Sequence, residues 1–294
     1  MKETSSNPVT LSVDMLPSTH VDEIARGERF AFGENWQRFL GTLGEIRIQQ
    51  AEDSLKAMLS VGDLQGKDFI DVGSGSGIFS LAARRLGARV FSFDFDPQSV
   101  ACTKEMKRRF FPNDQRWTIQ EGSVLDFSYL SSLGTFDVVY SWGVLHHTGK
   151  MWQALDNVAQ LVKPGGQLFI AIYNDAGWRS VAWRGIKTCY NKMPRLLKTP
   201  FVLSLLIPGQ AKAAVQSAFR LQFREFVKSW TEYEKNRGMS RWHDAVDWIG
   251  GYPYEVASTD SLEQFYKQRG FRLQKAKTPD YKLACNELVL VRES

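Results

Sequence analysis

The chain has 294 residues, of which 43% are hydrophobic, and it carries a formal net charge of +5 at pH 7. This length suits one large domain, or a core with a cap, and the apolar content supports a substantial hydrophobic core. Three well-separated cysteines, Cys102, Cys189 and Cys285, form neither a zinc-binding spacing nor a disulfide framework, which suits a protein of the reducing cytoplasm.

The first 65 residues predict an N-terminal segment followed by helices. The start of the chain has no apolar signal core, and residues 34–60 have apolar side chains at helical spacing, beginning with Trp36 and Phe39. The longest aliphatic run, from Phe201 to Ile207, is too short to span a bilayer. We therefore expect no transmembrane segment.

The run from Phe69 to Gly77 predicts a buried strand, a glycine loop and the start of a helix. The loop contains three glycines: Gly73, Gly75 and Gly77. Because glycine has no Cβ, the backbone can approach a ligand closely there. A dinucleotide-binding loop needs glycine at the position of Ile78, so an NAD-dependent dehydrogenase is disfavoured. Asp71 places a carboxylate beside the loop, which suits a cationic ligand group better than a pyrophosphate.

A second apolar strand, from Arg89 to Asp94, ends in an acid. It follows the glycine loop by one helix, so Asp94 is expected at the carboxyl end of the neighbouring strand, where ligands bind to open parallel sheets. A carboxylate there can accept both ribose hydroxyls of an adenosine, and Phe95 would flank the adenine. The alternative role of a helix N-cap suits Asp96 better, because Pro97 follows it at the first helical position.

Strands and helices continue to alternate along the chain. A third strand begins at Trp117, a fourth begins at Phe136, and a Pro-Gly-Gly turn precedes a fifth strand that ends at Tyr173. Residues 66–173 therefore predict an α/β fold with a doubly wound, Rossmann-like parallel sheet. Residues 259–294 predict a helix and two further strands that complete this sheet.

In their order and spacing these segments resemble the core of the class I S-adenosylmethionine (SAM) dependent methyltransferases of the small-molecule type. The resemblance includes the runs Val-Leu-His-His and Lys-Pro-Gly-Gly, and it is weaker over residues 259–292. It implies SAM as the cofactor and a last strand inserted antiparallel into a mostly parallel sheet. It also implies a set of residues that contact SAM: Asp71, Gly73, Gly75, Gly77, Asp94, Phe95, Ser123 and Val124.

The same resemblance implies a small-molecule acceptor that is methylated on oxygen or nitrogen, and an N-terminal segment with Phe32 and Trp36 that folds over SAM. A hydroxyl or ammonium acceptor needs a base, and histidine titrates near neutral pH. His146 and His147 follow the fourth strand, so they are the catalytic candidates. The sequence leaves open which of them acts, and whether one packs structurally or binds SAM through its backbone.

Residues 174–258 are too many for an ordinary loop, so we expect a helical cap insertion over the carboxyl edge of the sheet. Its last part, from Arg237 to Glu255, is dense in His, Asp, Trp, Tyr and glycine. We expect this part to face the substrate, with a structural hinge as the alternative. The candidate substrate-binding residues are Tyr173, His243, Trp248 and Tyr252.

The cap is locally basic, because the stretch 176–224 has no Asp or Glu. It contains nine basic residues: Arg179, Arg184, Lys187, Lys192, Arg195, Lys198, Lys212, Arg220 and Arg224. An anionic membrane surface, RNA and an acidic small substrate or carrier are the alternative partners, beside a solvated helical face without a partner. Of these partners, RNA has the least support from the sequence, because no aromatic RNA motif or zinc module accompanies the bases.

Two alternatives to a small-molecule methyltransferase stay open. One is an enzyme that methylates RNA or another macromolecule through the basic cap, although the Asn/Asp-Pro-Pro-Tyr/Phe motif of one such subclass is absent at Ser141-Trp-Gly-Val. The other is a module that binds SAM without chemistry. The intact glycine loop and Asp94 argue for retained SAM binding. No metal site is expected.

Overall fold

The structure is a computed structural model that describes residues 19–33, 36, 43–219, 224, 228, 241–279 and 283–293. Inside the helices, the side chains at positions 212, 213, 218, 241 and 243 are outside the described set. The predictions for the start of the chain and for Phe39 also lie outside the described residues.

Seven strands form one sheet in the described part of the chain. They are β1 (Asp68–Val72), β2 (Arg89–Asp94), β3 (Trp117–Glu121), β4 (Phe136–Trp142), β5 (Val162–Tyr173), β6 (Phe271–Lys277) and β7 (Cys285–Arg292). Their order is β3-β2-β1-β4-β5-β7-β6, and β1 to β5 are parallel. β7 runs antiparallel between β5 and β6. The predicted fold class, including the antiparallel last strand, is confirmed.

Helices cover both faces of this sheet. The described helices are α1 (His20–Ala25), α2 (Glu45–Leu59), α3 (Ile78–Arg85), α4 (Pro97–Phe110), α5 (Phe127–Ser132), α6 (Met151–Gln160), α7 (Trp178–Lys192), α8 (Arg195–Phe219), α9 (Arg241–Gly250) and α10 (Thr259–Lys267). One hydrophobic core packs α2, α3 and α4 on the sheet, and another packs α5, α6 and α10. Phe69 belongs to the first core and Ile70 to the second, which explains the continuous apolar run of β1.

The strand order changes direction between β1 and β4. The chain builds β2 and β3 on one side of β1, and β4 and β5 on the other side. The connections from β1 and β4 therefore leave in opposite directions and open a crevice at the carboxyl ends of these strands. Asp71 on β1, Asp94 on β2 and Tyr173 on β5 all lie near this edge of the sheet.

Three described helices, α7, α8 and α9, form the insertion between β5 and α10. They share a small hydrophobic cluster that contains Tyr190 of α7, Val202 of α8 and Ile249 of α9. Asn174 and Ala257, at the two ends of the insertion, form a β-bridge. None of the helices in the described ranges combines the length and apolar character needed to cross a bilayer. The division of the chain at residues 65, 173 and 258 stays a prediction.

Candidate active site

A cleft of about 980 Å³ lies at the carboxyl edge of the sheet. The ends of β1, β2 and β4 and the loops after them form one part of its wall. Described residues of the N-terminal segment, of α9, at the end of β5 and at 277–279 and 283–285 contribute further parts of the wall. Ligand pockets are typically roughly 300–1,000 Å³, so this cleft has room for a cofactor together with an acceptor.

The glycine loop after β1 has the backbone conformation that only glycine adopts without steric cost. Gly73, Gly75 and Gly77 have φ angles of 81°, 52° and 80°. The N–H groups of Gly73 and Ser74 donate to the carbonyl oxygen of Phe93 at 2.8 and 3.1 Å, which ties the loop to β2. Gly73 and Gly75 line the cleft, whereas Gly77 is the N-cap of α3 and is not among the lining residues.

Asp71 is buried beneath this loop, with 2% of its surface exposed. The Ser80 hydroxyl donates to its carboxyl at 2.5 Å, and Ser92 and Trp117 continue this chain of hydrogen bonds. Burial raises the pKa of Asp71 to about 7; the Ser80 hydrogen bond opposes this shift and the nearby Asp94 adds to it. The carboxyl therefore titrates near neutral pH.

Asp94 is at the end of β2 and lines the cleft. One carboxyl oxygen accepts the N–H of Gly75 at 2.9 Å, and the other accepts the N–H of Asp96 at 2.9 Å. Burial raises the pKa of Asp94 to about 6 against the effect of these backbone hydrogen bonds. Each oxygen keeps a further acceptor position, so the carboxylate can accept two additional hydroxyl groups.

Phe95, Ser123 and Val124 line the cleft next to the ends of β2 and β3. The guanidinium of Arg29 lies 5.0 Å from the centre of the Phe95 ring. The Ser123 hydroxyl oxygen accepts the N–H of Leu125 at 3.2 Å, so the hydroxyl hydrogen is free to donate. The structure thus brings these three predicted residues to the same cleft as Asp71 and Asp94.

His146 lies in the short 3-10 turn after β4, lines the cleft and is fully buried. Its Nδ1 lies 3.3 Å from the backbone nitrogen of Tyr173, which donates to it. Among the described residues, Nε2 has no hydrogen-bond partner. Burial is the main cause that holds the pKa of His146 well below its ordinary value; His147 and Lys187 add to this shift and a backbone hydrogen bond with Ala171 opposes it.

The tautomer of His147 follows from its hydrogen bond to the backbone. Its Nδ1 lies 2.6 Å from the carbonyl oxygen of Pro253, and because a carbonyl only accepts, Nδ1 carries the proton. Nε2 therefore has a free lone pair in the neutral ring. His147 is 7% exposed and lines the cleft. Burial lowers its pKa to about 3 despite the hydrogen bond to Pro253, so the ring is neutral near pH 7.

Tyr173 is at the centre of an aromatic wall beside the two histidines. Its ring centre lies 4.1 Å from that of His146, 5.3 Å from that of Tyr254 and 5.5 Å from that of Trp248. Tyr173 and Trp248 line the cleft together with Phe32. The wall is therefore aromatic and mostly apolar, with the Trp248 ring nearly perpendicular to that of Tyr173.

The other two predicted substrate residues are not part of this described wall. Tyr252 is not among the lining residues, and its carbonyl oxygen accepts the N–H of Phe30 at 3.0 Å. His243 lies on α9, but its side chain is outside the described set. The substrate role of both residues stays a prediction.

The N-terminal segment 19–33 crosses the cleft. Side-chain contacts of Asp96 and Arg29, which the sequence does not predict, hold it there. Asp96 accepts the N–H of Gly33 at 2.8 Å and lies 3.7 Å from His20 Nε2. Arg29 donates to the carbonyl oxygen of His147 at 3.0 Å. Asp96 is also the N-cap of α4, as the sequence predicts, but its contact with Gly33 has no local sequence signal.

Lys187, one of the nine bases of the cap, is fully buried on α7. Its ammonium donates to the carbonyl oxygen of Trp248 and lies 4.6 Å from the Trp248 ring and 5.0 Å from the Tyr254 ring. Burial lowers the pKa of Lys187 to about 7, and Asp247 opposes this shift. The charge pattern alone could not distinguish this lysine from the surface bases around it.

Comparisons with known proteins agree with this arrangement. A family model described as a methyltransferase domain matches residues 43–276. The ubiquinone biosynthesis O-methyltransferase of Escherichia fergusonii is 33% identical over 176 residues, which are 58% of this chain and 66% of that protein. The ribosomal protein L11 methyltransferase of Vibrio cholerae is 33% identical over 130 residues, which are 41% of this chain and 38% of that protein.

The magnesium protoporphyrin IX methyltransferase of Synechocystis PCC 6803 with bound SAH has a TM-score of 0.52 and 13% identity, over 88% of this chain and 95% of that chain. This likeness concerns the fold. The chain spans less than two thirds of the length of the ubiquinone biosynthesis relatives. The family model, in contrast, covers most of the chain, including the glycine loop and the cap. The chain therefore belongs to the methyltransferase domain family, as the order and spacing of its core segments predict, and the methyl donor of this class I family is SAM.

Proposed function

We propose that this protein transfers a methyl group from SAM to an oxygen or nitrogen of a small-molecule metabolite. The main support is that one cleft contains both the glycine loop with Asp94 and the aromatic wall with His147. Methyl transfer is a direct displacement, so donor and acceptor must meet in one space with aligned reacting atoms. A protein that only bound a cofactor would not need the aromatic wall with His147 in the same cleft.

The cofactor half has the chemistry that SAM requires. Bound SAM supplies a methyl group that its sulfonium already activates. A Cβ at Gly73 would collide with the side chain of Val144, so the loop has no spare room for a larger residue. The neighbours that shift the pKa of Asp71 are Ser80 and Asp94 rather than a cation, so a positively charged ligand group would be favourable there. We propose that Asp71 faces such a group and that Asp94 accepts the ribose hydroxyls.

We propose His147 as the base. Its proton is held on Nδ1 by Pro253, its neutral Nε2 can accept a proton, and the residue reaches the cleft surface. The expectation that the base titrates near neutral pH is wrong for His147, because burial lowers its pKa to about 3. We therefore propose that Nε2 accepts a hydrogen bond from the acceptor hydroxyl and takes its proton only as methyl transfer makes that proton strongly acidic. His146 is fully buried and hydrogen-bonds the backbone of Tyr173, so we propose that it positions the aromatic wall.

The acceptor that suits this wall has an apolar or aromatic body and carries a hydroxyl group. Tyr173 and Trp248 offer aromatic surface, and the neutral His147 offers a proton acceptor. The relatives named ubiquinone biosynthesis O-methyltransferases support oxygen as the atom that is methylated. The ribosomal protein L11 methyltransferase matches only 41% of this chain, so it supports the methyltransferase core more than any acceptor.

Calorimetric titration with SAM, and separately with NAD, tests the cofactor, and transfer of a labelled methyl group to hydroxylated and amino metabolites tests the reaction. We expect micromolar SAM binding and no NAD binding. Asp94→Ala is the control and is expected to weaken SAM binding by about 10- to 100-fold, because the ribose hydroxyls lose a charged acceptor.

The possible results separate the alternatives. NAD binding, or the absence of SAM binding, would contradict the proposal. Label that appears on RNA or protein instead of metabolites would identify a macromolecular acceptor. SAM binding without transfer to any acceptor would favour a module that has lost its chemistry.

A further inference from the structure

One side of the cap helix α8 carries a strip of exposed apolar side chains. Leu196, Leu203 and Ile207 are 90%, 40% and 58% exposed. They are seven and four residues apart, so they share one face of the helix. Val215 and Phe219, which are 54% and 85% exposed, continue the apolar surface towards the end of α8.

A different face of α8 already packs against the protein. Val202 is 1% exposed and, with Leu206, belongs to the cluster that joins α8 to α7 and α9. The exposed strip is therefore not needed for the attachment of α8. Surface helices of globular proteins usually present polar residues on the side away from the core, so an exposed apolar strip indicates a partner.

The charge around this strip identifies the kind of partner. The sequence from Ala176 to Phe219 contains no Asp or Glu. Among the bases of this stretch whose side chains the structure describes, the exposed ones are Arg179, Arg184, Lys192 and Arg195. A cap that combines an exposed apolar strip with exposed bases and has no acid between Ala176 and Phe219 complements an anionic bilayer, which offers both negative head groups and an apolar interior. RNA would leave the strip without a partner, and a second copy of the chain would bring like charges together.

We propose that α7 and α8 form a docking surface for an anionic lipid bilayer. α8 lies in the plane of the interface, with Leu196, Leu203 and Ile207 at the boundary of the acyl chains. The bases of α7 and of the start of α8 face the lipid head groups. α9, which packs on the inner side of this cap, contributes Trp248 to the cleft, so docking holds the cap side of the cleft at the membrane. This surface goes beyond methyl transfer and does not depend on it.

Vesicle flotation of the full chain tests the proposal. The vesicles contain phosphatidylcholine alone or equal amounts of phosphatidylcholine and phosphatidylglycerol. We expect binding to the anionic vesicles to be at least about tenfold tighter and to weaken with added salt. The triple variant Leu196→Gln, Leu203→Gln, Ile207→Gln is expected to lose about tenfold or more in binding to the anionic vesicles.

A triple variant that neutralises three exposed bases tests the electrostatic contribution to vesicle binding. Arg184→Gln, Lys192→Gln, Arg195→Gln is expected to reduce the preference for phosphatidylglycerol by about tenfold or more, because each base near the surface contributes to the attraction. The preference of this triple variant is measured with the same two vesicle types.

Two matched controls change exposed residues away from the cap. Ile46→Gln on α2 removes an apolar side chain that is 76% exposed, and Lys104→Gln on α4 removes an exposed base. Both should bind vesicles like the parent chain. Cooperative thermal unfolding checks that every variant is folded.

Four outcomes would overturn the proposal. The first two are no vesicle binding by the parent chain and equal vesicle binding by all variants. The third is a dimer in lipid-free solution that dissociates in the triple variant Leu196→Gln, Leu203→Gln, Ile207→Gln. The fourth is RNA binding without vesicle binding. None of them depends on whether SAM is bound or a methyl group is transferred, so failure of the docking surface is distinguishable from failure of the proposed function.

Discussion

The two carboxyls of the proposed SAM site couple binding to pH. Burial raises the pKa of Asp71 to about 7 and that of Asp94 to about 6, so both hold protons in mildly acidic solution. A cationic ligand favours the ionised carboxylate, so we expect SAM affinity to rise roughly tenfold or more between about pH 5 and about pH 7, below the pKa of an α-amino group. Calorimetry in buffers of different ionisation heat measures both the affinity and the protons released.

Asp71→Asn tests whether ionisation of the Asp71 carboxyl, as opposed to its size and shape, causes this pH dependence. The amide has nearly the same size but does not ionise, so this variant should bind SAM more weakly and show a smaller increase with pH. Affinity of the parent chain that does not change with pH would contradict the role of these carboxyls.

The tautomer of His147 leads to a separate prediction for turnover. His147→Gln is expected to lower kcat by about 100-fold to 10,000-fold, since the acceptor hydroxyl loses its base, and to leave the Kd for SAM nearly unchanged. His146→Gln is the matched comparison, because the ring of His146 accepts the backbone N–H of Tyr173 and is proposed to position the aromatic wall. It should mainly raise KM for the acceptor. Equal losses of kcat and SAM affinity in His147→Gln would indicate a structural role.

At the scale of elements, Asp96 connects the start of α4 with the N-terminal segment. One carboxyl oxygen caps α4 through the N–H of Gln98, and the other accepts the N–H of Gly33. Asp96→Ala is expected to destabilise the protein by about 1–2 kcal/mol through the lost cap and also to weaken SAM binding, because the segment over the cleft loses its anchor. Chemical unfolding and calorimetry measure these two effects.

Asp126→Ala controls for the loss of a cap alone. Asp126 caps α5 through the N–H of Tyr129 at 3.0 Å and makes no described contact with the N-terminal segment. This variant should lose about 1 kcal/mol of stability and keep its SAM affinity. If Asp96→Ala also kept full SAM affinity, the anchoring role of Asp96 would be wrong.

At the scale of the whole molecule, Lys187 lies where the cap meets the aromatic wall of the cleft. Burial lowers its pKa to about 7, below the ordinary value of 10.5, so above pH 7 the folded protein binds fewer protons at this site than the unfolded chain. This site therefore makes the protein more stable as pH rises from about 7 to 9, by at most about 2–3 kcal/mol. Above this range, the raised pKa of Cys102, about 11, acts in the opposite direction.

Lys187→Met removes the titrating group and keeps a long side chain in the same space. Its unfolding free energy should be less dependent on pH between about 7 and 9 than that of the parent chain. Lys104→Met, at an exposed lysine, should retain the dependence of the parent. Chemical unfolding at about pH 7 and about pH 9 measures the unfolding free energy of each chain. If this free energy rises with pH in Lys187→Met as much as in the parent chain, Lys187 does not cause the pH dependence.

Much of the cofactor half of the cleft could be predicted because its signals are local. The strand before Gly73, the glycine spacing and the acid at the end of the next strand lie within a short stretch of chain, and parallel strands bring their carboxyl ends to one edge. The antiparallel direction of β7 was predicted only from the resemblance to a family, because the sequence does not show how the last two strands pair. The substrate roles of Tyr252 and His243 stay predictions, because Tyr252 is not among the residues that line the cleft and the side chain of His243 is outside the described set.

Spacing and composition along the chain are sufficient to predict the alternating strands and helices, the glycine loop and the basic insertion, and the resemblance of these segments predicts the family. Tertiary packing is needed to bring His147 and Pro253, 106 residues apart, into one hydrogen bond and to let Asp96 accept the N–H of Gly33. It also decided that Lys187 is buried while other bases of the cap are exposed. Tautomer, burial and pKa depend on neighbours that packing brings together, and no local pattern encodes them.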